Sequence, residues 1–465
     1  MRNNVIDWGK KIIIITIWLM IWQIVSELTG LELIMASPVS VFKALIGMLG
    51  TKVLYITVLK SFINITAGFL IAFILGTILG VIAARFSVLE DFLGPLVQLM
   101  KTLPMTSFII LLLIWFGADY VALYISFIVV FPTIYISVIT GIRKASVPLL
   151  EMAQVFQVPV DKQIRGIYLP SIYAYVENAL KTVMGMCWKA GVSAEVIGLV
   201  RNSVGEQLYY SKLYFMTADL FAWSIIVVAV SLVFEIVFIR LLRVLVSVAR
   251  KMDSKMDYIK KKKSKVYEFK EDSPDILLMN VCKSFGDNIL FENMLCSLTG
   301  DKIHCIMGES GSGKTTLLRL MMGLEEPDDY DCTMKGLKRA SAVFQEDRLI
   351  EDISAIENIR FAVKGMSVQK AREELEKLLP SDSLDKEVSK LSGGMKRRVA
   401  IVRAMLSPSM IVYMDEPFNG LDNDNKAKVQ QYIKDNRNGR TIILVTHNNE
   451  DAEAMTDKIS LLTSK

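Results

Sequence analysis

A glycine-rich loop that directly follows an apolar segment has the residue types needed to hold phosphate. The segment Lys302–Met307 is typical of a buried strand, and a helix is predicted from about Thr316. Glycines let backbone N–H groups approach phosphate oxygens, and the helix N-terminus adds partial positive charge. Lys314 can reach the β- and γ-phosphates, and the Thr315 hydroxyl can bind Mg²⁺. We therefore predict a site for ATP and Mg²⁺ formed by Thr316 and the loop residues Gly308, Glu309, Ser310, Gly311, Ser312, Gly313, Lys314 and Thr315.

A second apolar segment, Met410–Met414, ends on two carboxylates. Asp415 would enter the Mg²⁺ shell, and Glu416 would polarise the water that attacks the γ-phosphate. A glycine-rich turn and an exposed acidic turn without a ligand are the alternatives. The strand–loop–helix context and the pairing of the two motifs both favour the nucleotide site.

Cysteine and histidine content argues against a metal cluster built from protein ligands. The chain has five cysteines, which form no CxxC pair, and two histidines. Reduced thiols in core or boundary positions are the favoured interpretation. The cysteines are Cys187, Cys282, Cys296, Cys305 and Cys332.

Apolar residues are concentrated in one half of the chain. Of 465 residues, 52% are hydrophobic and the mean hydropathy is +0.40, but the excess lies before about Arg250. A chain of this length is expected to form two or more domains. We predict a membrane domain over residues 1–255, a basic linker over 256–273 and a soluble domain over 274–465.

Six segments are apolar enough for helices that cross a bilayer, each of which needs roughly 20 residues. They are about Ile12–Val25, Val53–Ala83, Leu93–Phe116, Tyr120–Thr140, Ile172–Val200 and Ala218–Val248. The first could be the core of a signal peptide, but no convincing cleavage site follows, so a retained span is favoured. Charged residues interrupt the fifth. The small residues of Ile71–Gly80 suit close helix packing.

The placement of Lys and Arg predicts a cytoplasmic N-terminus. Segments that would then face the cytoplasm are richer in these residues than the outer loops, and an even number of spans returns the chain to the same side. The run Lys260–Lys263 is either a solvated linker or an anchor beside anionic headgroups, and both place it in the cytoplasm. Nucleic-acid binding is not expected, because no basic face with interleaved aromatic residues accompanies the run.

The segment Leu391–Met395 resembles the signature motif of ABC transporters. It lies between the two nucleotide motifs and precedes a basic helix. The resemblance implies that Ser392, Gly393 and Gly394 close over the γ-phosphate of ATP bound to a partner subunit. Met395 in place of the commoner Gln is typical of ATPases of the nitrate/sulfonate/taurine type.

Four further residues match other motifs of the same family by position. Gln345 fits the Q-loop, which senses the γ-phosphate, takes part in catalysis and Mg²⁺ binding, and faces the permease. Asp422 fits the D-loop, and His447, after a predicted strand, fits the switch histidine that contacts the γ-phosphate. Phe285 fits the aromatic residue that stacks on adenine, with a core position as the alternative. A core position is predicted for the other histidine, His304.

The loop before the fifth predicted span resembles the EAA loop of bacterial ABC importer permeases. It has Glu151-Met152-Ala153, then Gln157, then Ile167-Tyr168-Leu169-Pro170. In that family a Gly occupies the position of Gln157, so the geometry of the turn is open. The resemblance implies a short coupling helix that docks into the ATPase, and an ordinary amphipathic connector is the alternative.

Other segments of the first half look like the nitrate/sulfonate/taurine permease family. They are Asp91–Pro95, Lys101–Pro104, Ile114–Gly117 and Lys189–Glu195. Glu195 matches an acidic residue of that family. It is either a functional intramembrane carboxylate or a hydrated group near the outer end of its helix.

The resemblance implies the fold and the activity of the whole chain. The expected architecture is an N-terminal all-α six-helix transmembrane domain of the type I ABC importer, followed by a C-terminal α/β P-loop ABC ATPase domain without a regulatory extension. The expected function is ATP-driven import across a prokaryotic cell membrane of a small polar or anionic solute, such as nitrate, a sulfonate, taurine or a thiamine precursor. The expected partners are a second copy of the chain and a separate solute-binding protein. The alternatives are an ATP-binding membrane regulator and an exporter.

Overall fold

Helices account for nearly all of the first part of the chain in this computed structural model. It describes residues 2–260, 276–286, 288–309, 311–333, 340–456 and 458–461. The helices before residue 261 are α1 (Arg2–Thr29), α2 (Pro38–Leu49), α3 (Lys52–Arg85), α4 (Ser87–Thr102), α5 (Met105–Phe116), α6 (Val121–Arg143), α7 (Val147–Val155), α8 (Val160–Gln163), α9 (Leu169–Gly198), α10 (Val204–Leu213) and α11 (Thr217–Lys260). A π-helical turn, Ile164–Tyr168, joins α8 to α9.

Strands and shorter helices alternate in the second part. They are β1 (Ile276–Phe285), β2 (Asn288–Leu298), β3 (Ile303–Met307), α12 (Lys314–Met321), β4 (Asp329–Thr333), β5 (Ala340–Val343), α13 (Ala355–Ala362), α14 (Val368–Glu376), α15 (Gly393–Leu406), β6 (Ile411–Asp415), α16 (Asn423–Asp435), β7 (Thr441–Val445), α17 (Asn449–Met455) and β8 (Lys458–Leu461).

The chain forms two compact units. Unit 1 comprises Met1–Lys144 and Ser171–Ser247, and unit 2 comprises Ala145–Pro170 and Val248–Lys465. The EAA-like loop therefore groups with the α/β half rather than with the helices that flank it. Most of the predicted basic linker, including Lys261–Lys263, lies outside the described residues.

Four helices of the described residues are long and apolar enough to cross a membrane, namely α1, α3, α6 and α11. The predicted third span is a pair of helices, α4 and α5, bent by 108°. Pro104 explains the break, because proline lacks an N–H and keeps the residue before it extended, and Leu103 has ψ of 135°. If the bent pair counts as one span the total is five. The charged residues of α9 keep it outside this set, so the predicted count of six is not confirmed.

Close packing of α3 on α6 forms the core of unit 1. A Cβ added at Gly80 would lie 3.0 Å from the Tyr135 carbonyl oxygen, so glycine is needed for this approach. Ile65 and Phe69 of α3 and Ile134 of α6 are buried in the same cluster. The small-residue segment Ile71–Gly80 thus includes part of the helix contact, as its composition suggests.

Glu195 lies inside unit 1 with no exposed surface. Its Oε2 accepts hydrogen bonds from Ser61 Oγ at 2.7 Å and from the Gly205 N–H at 3.2 Å. The carboxylate thus joins α3, α9 and α10. This burial contradicts the reading of Glu195 as a hydrated group near a helix end.

The described residues of unit 2 form two sheets. One is antiparallel with strand order β2-β1-β4, and the other is five-stranded and parallel with strand order β5-β6-β7-β3-β8. Strands β5, β6 and β7 are buried along their whole length, as expected for a parallel sheet covered on both faces. The predicted fold class, a helical domain with apolar membrane-type helices followed by an α/β domain, is confirmed.

The end of α7 shows how the turn forms without glycine. The Val158 N–H donates to the Ala153 carbonyl at 2.9 Å and the Gln157 N–H to that of Gln154 at 3.1 Å. This is a Schellman-type ending, which places its terminal residue in the left-handed region. Gln157 has φ of +50°, so the turn is kept at the cost of backbone strain.

Replacing Gln157 with glycine is expected to stabilise the protein. A non-glycine residue in the left-handed region costs about 1–2 kcal/mol, and glycine removes most of that cost. The thermal unfolding midpoint of Gln157→Gly in detergent should rise above wild type, with Gln157→Asn in between. A midpoint below wild type would show that the Gln157 side chain outweighs the strain.

Candidate nucleotide site and coupling segment

The glycine-rich loop joins β3 to α12, and the side chain of Lys314 lies folded against this loop. Lys314 is 8% exposed, and its Nζ donates to the carbonyls of Gly308 at 2.8 Å and Glu309 at 2.6 Å. Gly313 has φ of +89°, and a Cβ there would lie 2.7 Å from the Phe291 ring. The ammonium group therefore lies inside the loop, where phosphate oxygens can replace the two carbonyls. Ser310 lies outside the described residues.

Thr315 and Asp415, the two residues predicted to bind Mg²⁺ from the phosphate loop and from the end of β6, contact each other. The Thr315 hydroxyl donates to Asp415 Oδ2 at 2.9 Å. Burial raises the pKa of Asp415, and a bound cation would favour its charged form. Both are hard oxygen ligands that suit Mg²⁺. Across the described residues no group of three or more His, Cys, Asp or Glu could hold a metal.

Glu416 is held on both carboxylate oxygens. Its Oε1 lies 2.9 Å from His447 Nδ1, and its Oε2 accepts from Asn419 Nδ2 at 3.3 Å. The backbone is in the left-handed region with φ of +47°, and the N–H donates to the Val445 carbonyl at 2.9 Å. Such strain persists only where the surroundings enforce it. The arrangement orients a carboxylate that can accept a proton from water.

Register in the parallel sheet explains why these groups lie close together. Val343 pairs with Met414, Asp415 with Val445, and Val445 with Ile306. The carboxyl ends of β3, β5, β6 and β7 therefore lie on one edge, where ligands bind in open α/β sheets. Gln345 follows β5 at this edge with an exposed side chain.

The signature residues form the exposed N-terminus of α15. Ser392 caps the helix, and its Oγ accepts from the Met395 N–H at 3.4 Å. Ser392 and Gly393 are exposed, so the unpaired N–H groups of the first turn can face a ligand from outside the chain. A Cβ at Gly394 would lie 3.4 Å from the Gly420 carbonyl, which places this motif beside the D-loop.

Asp422 acts as a helix cap in the single chain. Its Oδ1 accepts from the Asn425 N–H at 2.8 Å and its Oδ2 from Asn425 Nδ2 at 2.9 Å. The backbone hydrogen bond is the main reason that the pKa of Asp422 lies below its ordinary value. The carboxylate is therefore charged and fixed at the start of α16.

Phe285 and His304, for each of which a core position was considered, differ in burial. Phe285 is 52% exposed and carries Lys283 Nζ 5.1 Å from its ring centroid. Its exposure contradicts a core position and leaves the ring available to a base. His304 is fully buried, with Nε2 2.8 Å from the Thr299 carbonyl, as expected for a core histidine.

The EAA-like segment is tied to the nucleotide motifs by one carboxylate. Glu151 accepts two hydrogen bonds from Arg319, at 3.0 and 2.8 Å, and forms an ion pair with Arg348 Nη1 at 2.6 Å. Arg319 belongs to α12, the helix that begins at Lys314, and Arg348 lies three residues after Gln345. Glu151 thus bridges α12 and the segment that follows Gln345.

The charge of Glu151 is stable at neutral pH. The Arg319 hydrogen bond is the main cause that lowers the pKa of this carboxyl. A lowered folded-state pKa contributes stability above the ordinary Glu value, and that contribution is lost only as pH falls through the lowered pKa. The bridge is therefore intact across the physiological range.

Further contacts seat the segment within unit 2. Gln154 Nε2 donates to the Gly323 carbonyl at 3.2 Å, and Lys162 Nζ donates to that of Arg360 at 3.0 Å. The Arg403 guanidinium lies 5.1 Å from the Phe156 ring centroid. Sequence reasoning missed Arg319, Arg348 and Arg403, since no spacing links them to a loop about 170 residues or more earlier in the chain.

Comparison with known families assigns the two halves. Residues 291–419 match the model of the ABC transporter family, and residues 76–251 match that of the binding-protein-dependent transport system inner membrane component. The chain therefore joins a segment similar to binding-protein-dependent membrane permeases to a segment similar to ABC transporter ATPases.

Relatives of the ATPase half are import ATP-binding proteins. The sulfate/thiosulfate import ATP-binding protein CysA of Anthoceros angustus is 34% identical over 206 residues, 40% of this chain and 54% of the relative. The spermidine/putrescine import ATP-binding protein PotA of Aggregatibacter actinomycetemcomitans is 31% identical over 209 residues, which cover 41% of this chain and 56% of the relative. A solved ATP-binding cassette dimer with ADP and phosphate has 29% identity and a TM-score of 0.36, over 40% of this chain and 94% of that chain. The chain spans about half the length of these curated relatives.

Loss of the Phe285 ring is expected to weaken ATP binding without slowing the chemistry. Stacking of a base on an aromatic side chain contributes about 1–3 kcal/mol, so Phe285→Ala should raise the KM for ATP roughly tenfold at an unchanged kcat. Phe285→Tyr keeps the ring and should keep the KM. Steady-state ATP hydrolysis measures both values, and an unchanged KM in Phe285→Ala would exclude stacking.

Proposed function

We propose that this protein is an ATP-driven solute importer that works as a homodimer with a separate solute-binding protein in a prokaryotic cell membrane. The observation that carries the proposal is the Glu151 bridge. The segment between α6 and α9 packs in the same compact unit as the ATPase and contacts both α12 and the region after Gln345. A change at the γ-phosphate is thereby passed to the permease helices that continue from the segment.

The composition of the site supports the proposed homodimer. Each chain has one phosphate loop and one signature motif, and the exposed N-terminus of α15 is free to close on nucleotide held by a second chain. Two chains would form two composite sites. An isologous pair related by a two-fold axis is the commonest way for a protein to assemble with itself.

Hydrolysis needs three actions from the chain. Lys314 binds the β- and γ-phosphates, Glu416 accepts the proton of the attacking water, and His447 keeps the Glu416 carboxylate oriented. Thr315 and Asp415 would hold Mg²⁺, with Gln345 entering its shell. The ion supplies charge neutralisation at the phosphate oxygens when bound.

The solute proposed is small and polar or anionic. The permease motifs and Met395 favour the nitrate, sulfonate, taurine or thiamine-precursor group. The relatives of the ATPase half are named for sulfate/thiosulfate and for spermidine/putrescine, so similarity to these relatives does not select a solute.

Glu416→Gln separates a transporter from a sensor. Removal of the base should lower ATP hydrolysis by about 10²- to 10⁴-fold while ATP binding persists, and uptake of labelled solute by cells or vesicles should stop. Glu373→Gln, on the exposed face of α14, is the matched control and should behave as wild type. Unchanged uptake in Glu416→Gln would contradict an ATP-driven importer.

The same assay distinguishes the alternatives. A membrane regulator that only senses ATP would show no solute movement in wild type. An exporter would move solute out of the cytoplasmic compartment without a binding protein. Uptake that depends on both Glu416 and an added binding protein supports import.

A further inference from the structure

One buried arginine in the signature helix contacts the backbone of two of the residues proposed to act at the γ-phosphate, Gln345 and Glu416. Arg397 lies in α15, five residues after Ser392, and is 4% exposed. Its Nη2 donates to the Gln345 carbonyl at 3.1 Å and to the Glu416 carbonyl at 3.0 Å. Its Nη1 donates to the Phe344 carbonyl at 2.5 Å and to Asp347 Oδ1 at 3.1 Å.

Burying the Arg397 guanidinium costs desolvation free energy, so its N–H groups must be paired with acceptors in a well-defined geometry. A buried cation destabilises the fold unless its N–H groups are paired. Burial lowers the pKa of Arg397 and raises that of Asp347, so the pair carries a real desolvation cost. The planar guanidinium spreads its donors over two terminal nitrogens in a fixed fork and reaches four acceptors here, whereas a lysine ammonium has three N–H groups on one nitrogen.

The contact with Glu416 also explains its backbone. Glu416 has φ of +47°, a conformation that L-residues avoid. The N–H of Glu416 donates to the Val445 carbonyl, and the carbonyl of Glu416 accepts from Arg397. The same guanidinium group fixes Gln345, so the two residues cannot shift independently while Arg397 is in place.

We propose that Arg397 is a positioning residue for ATP hydrolysis, which fixes the backbones of Gln345 and Glu416 to the helix that carries the signature motif. This inference rests on the proposed function, because it concerns the same hydrolytic site. Movement of α15 on closure over a partner's nucleotide is thereby passed to the catalytic carboxylate of its own chain.

The test compares kcat with KM in the full-length protein in lipid nanodiscs. A displacement of about 1 Å can cost 10²-fold in rate, so Arg397→Gln should lower kcat at least about tenfold. The KM for ATP and the affinity for a fluorescent ATP analogue should stay within about twofold, because the phosphate loop is untouched. Arg397→Lys should also lose kcat, since it keeps the charge but not the fork. Arg372→Gln removes an exposed arginine paired with Asp385 and should leave both constants unchanged.

A folded Arg397→Gln protein with wild-type kcat would overturn the proposal, as would a fall in kcat that only follows the folded fraction measured by thermal unfolding. If Arg397→Gln does not fold, Arg397→Lys decides: wild-type kcat refutes the positioning role, and a lower kcat at constant KM supports it. Absence of ATP hydrolysis in the wild type would instead contradict the proposed function itself.

Discussion

Parallel pairing of β5, β6, β7 and β3 is the constraint on which the site depends. A shift of one residue in this register would turn buried strand residues toward the other face, and it would move Asp415 away from Thr315. The observed register aligns Asp415 with Val445 and Val445 with Ile306. Because the carboxyl ends share one edge, short loops are enough to bring phosphate ligands, carboxylates and the switch histidine together.

Arginines then connect that edge to the rest of unit 2. Arg403 is fully buried and donates to the carbonyls of Asp347 and Arg348 at 3.0 and 2.7 Å. Burial lowers its pKa to about 10, so it remains charged at neutral pH. Arg348, with φ of +48°, turns its guanidinium toward Glu151. Residues 344–348 are consequently held from α15 on one side and from α7 on the other.

Sequence spacing predicted the parts of the site that are local. The phosphate loop and the exposed cap at Ser392 depend on neighbours within a few residues, so residue types and order predict them. The pair Asp415 and Glu416 is readable from its place after an apolar segment, but its contacts with Thr315 and His447 are long-range. The long-range ion pairs of Glu151 and the buried contacts of Arg397 left no such pattern. The bend at Pro104 was not predicted either, because the apolar composition of the segment does not show the angle between two successive helices. Charges in α9 looked like interruptions of a span, whereas the fold pairs Glu177 with Lys181 and Arg243 at 3.2 and 3.1 Å.

Residues 145–170 are expected to respond as part of the ATPase when nucleotide binds, because they pack in the same compact unit. Hydrogen exchange of the wild-type chain in lipid nanodiscs, with and without a non-hydrolysable ATP analogue and Mg²⁺, tests it directly. We expect amide protection to change together in the phosphate loop, in residues 344–348 and in α7 through the turn at Gln157. A change confined to the phosphate loop, with α7 unaffected, would contradict it.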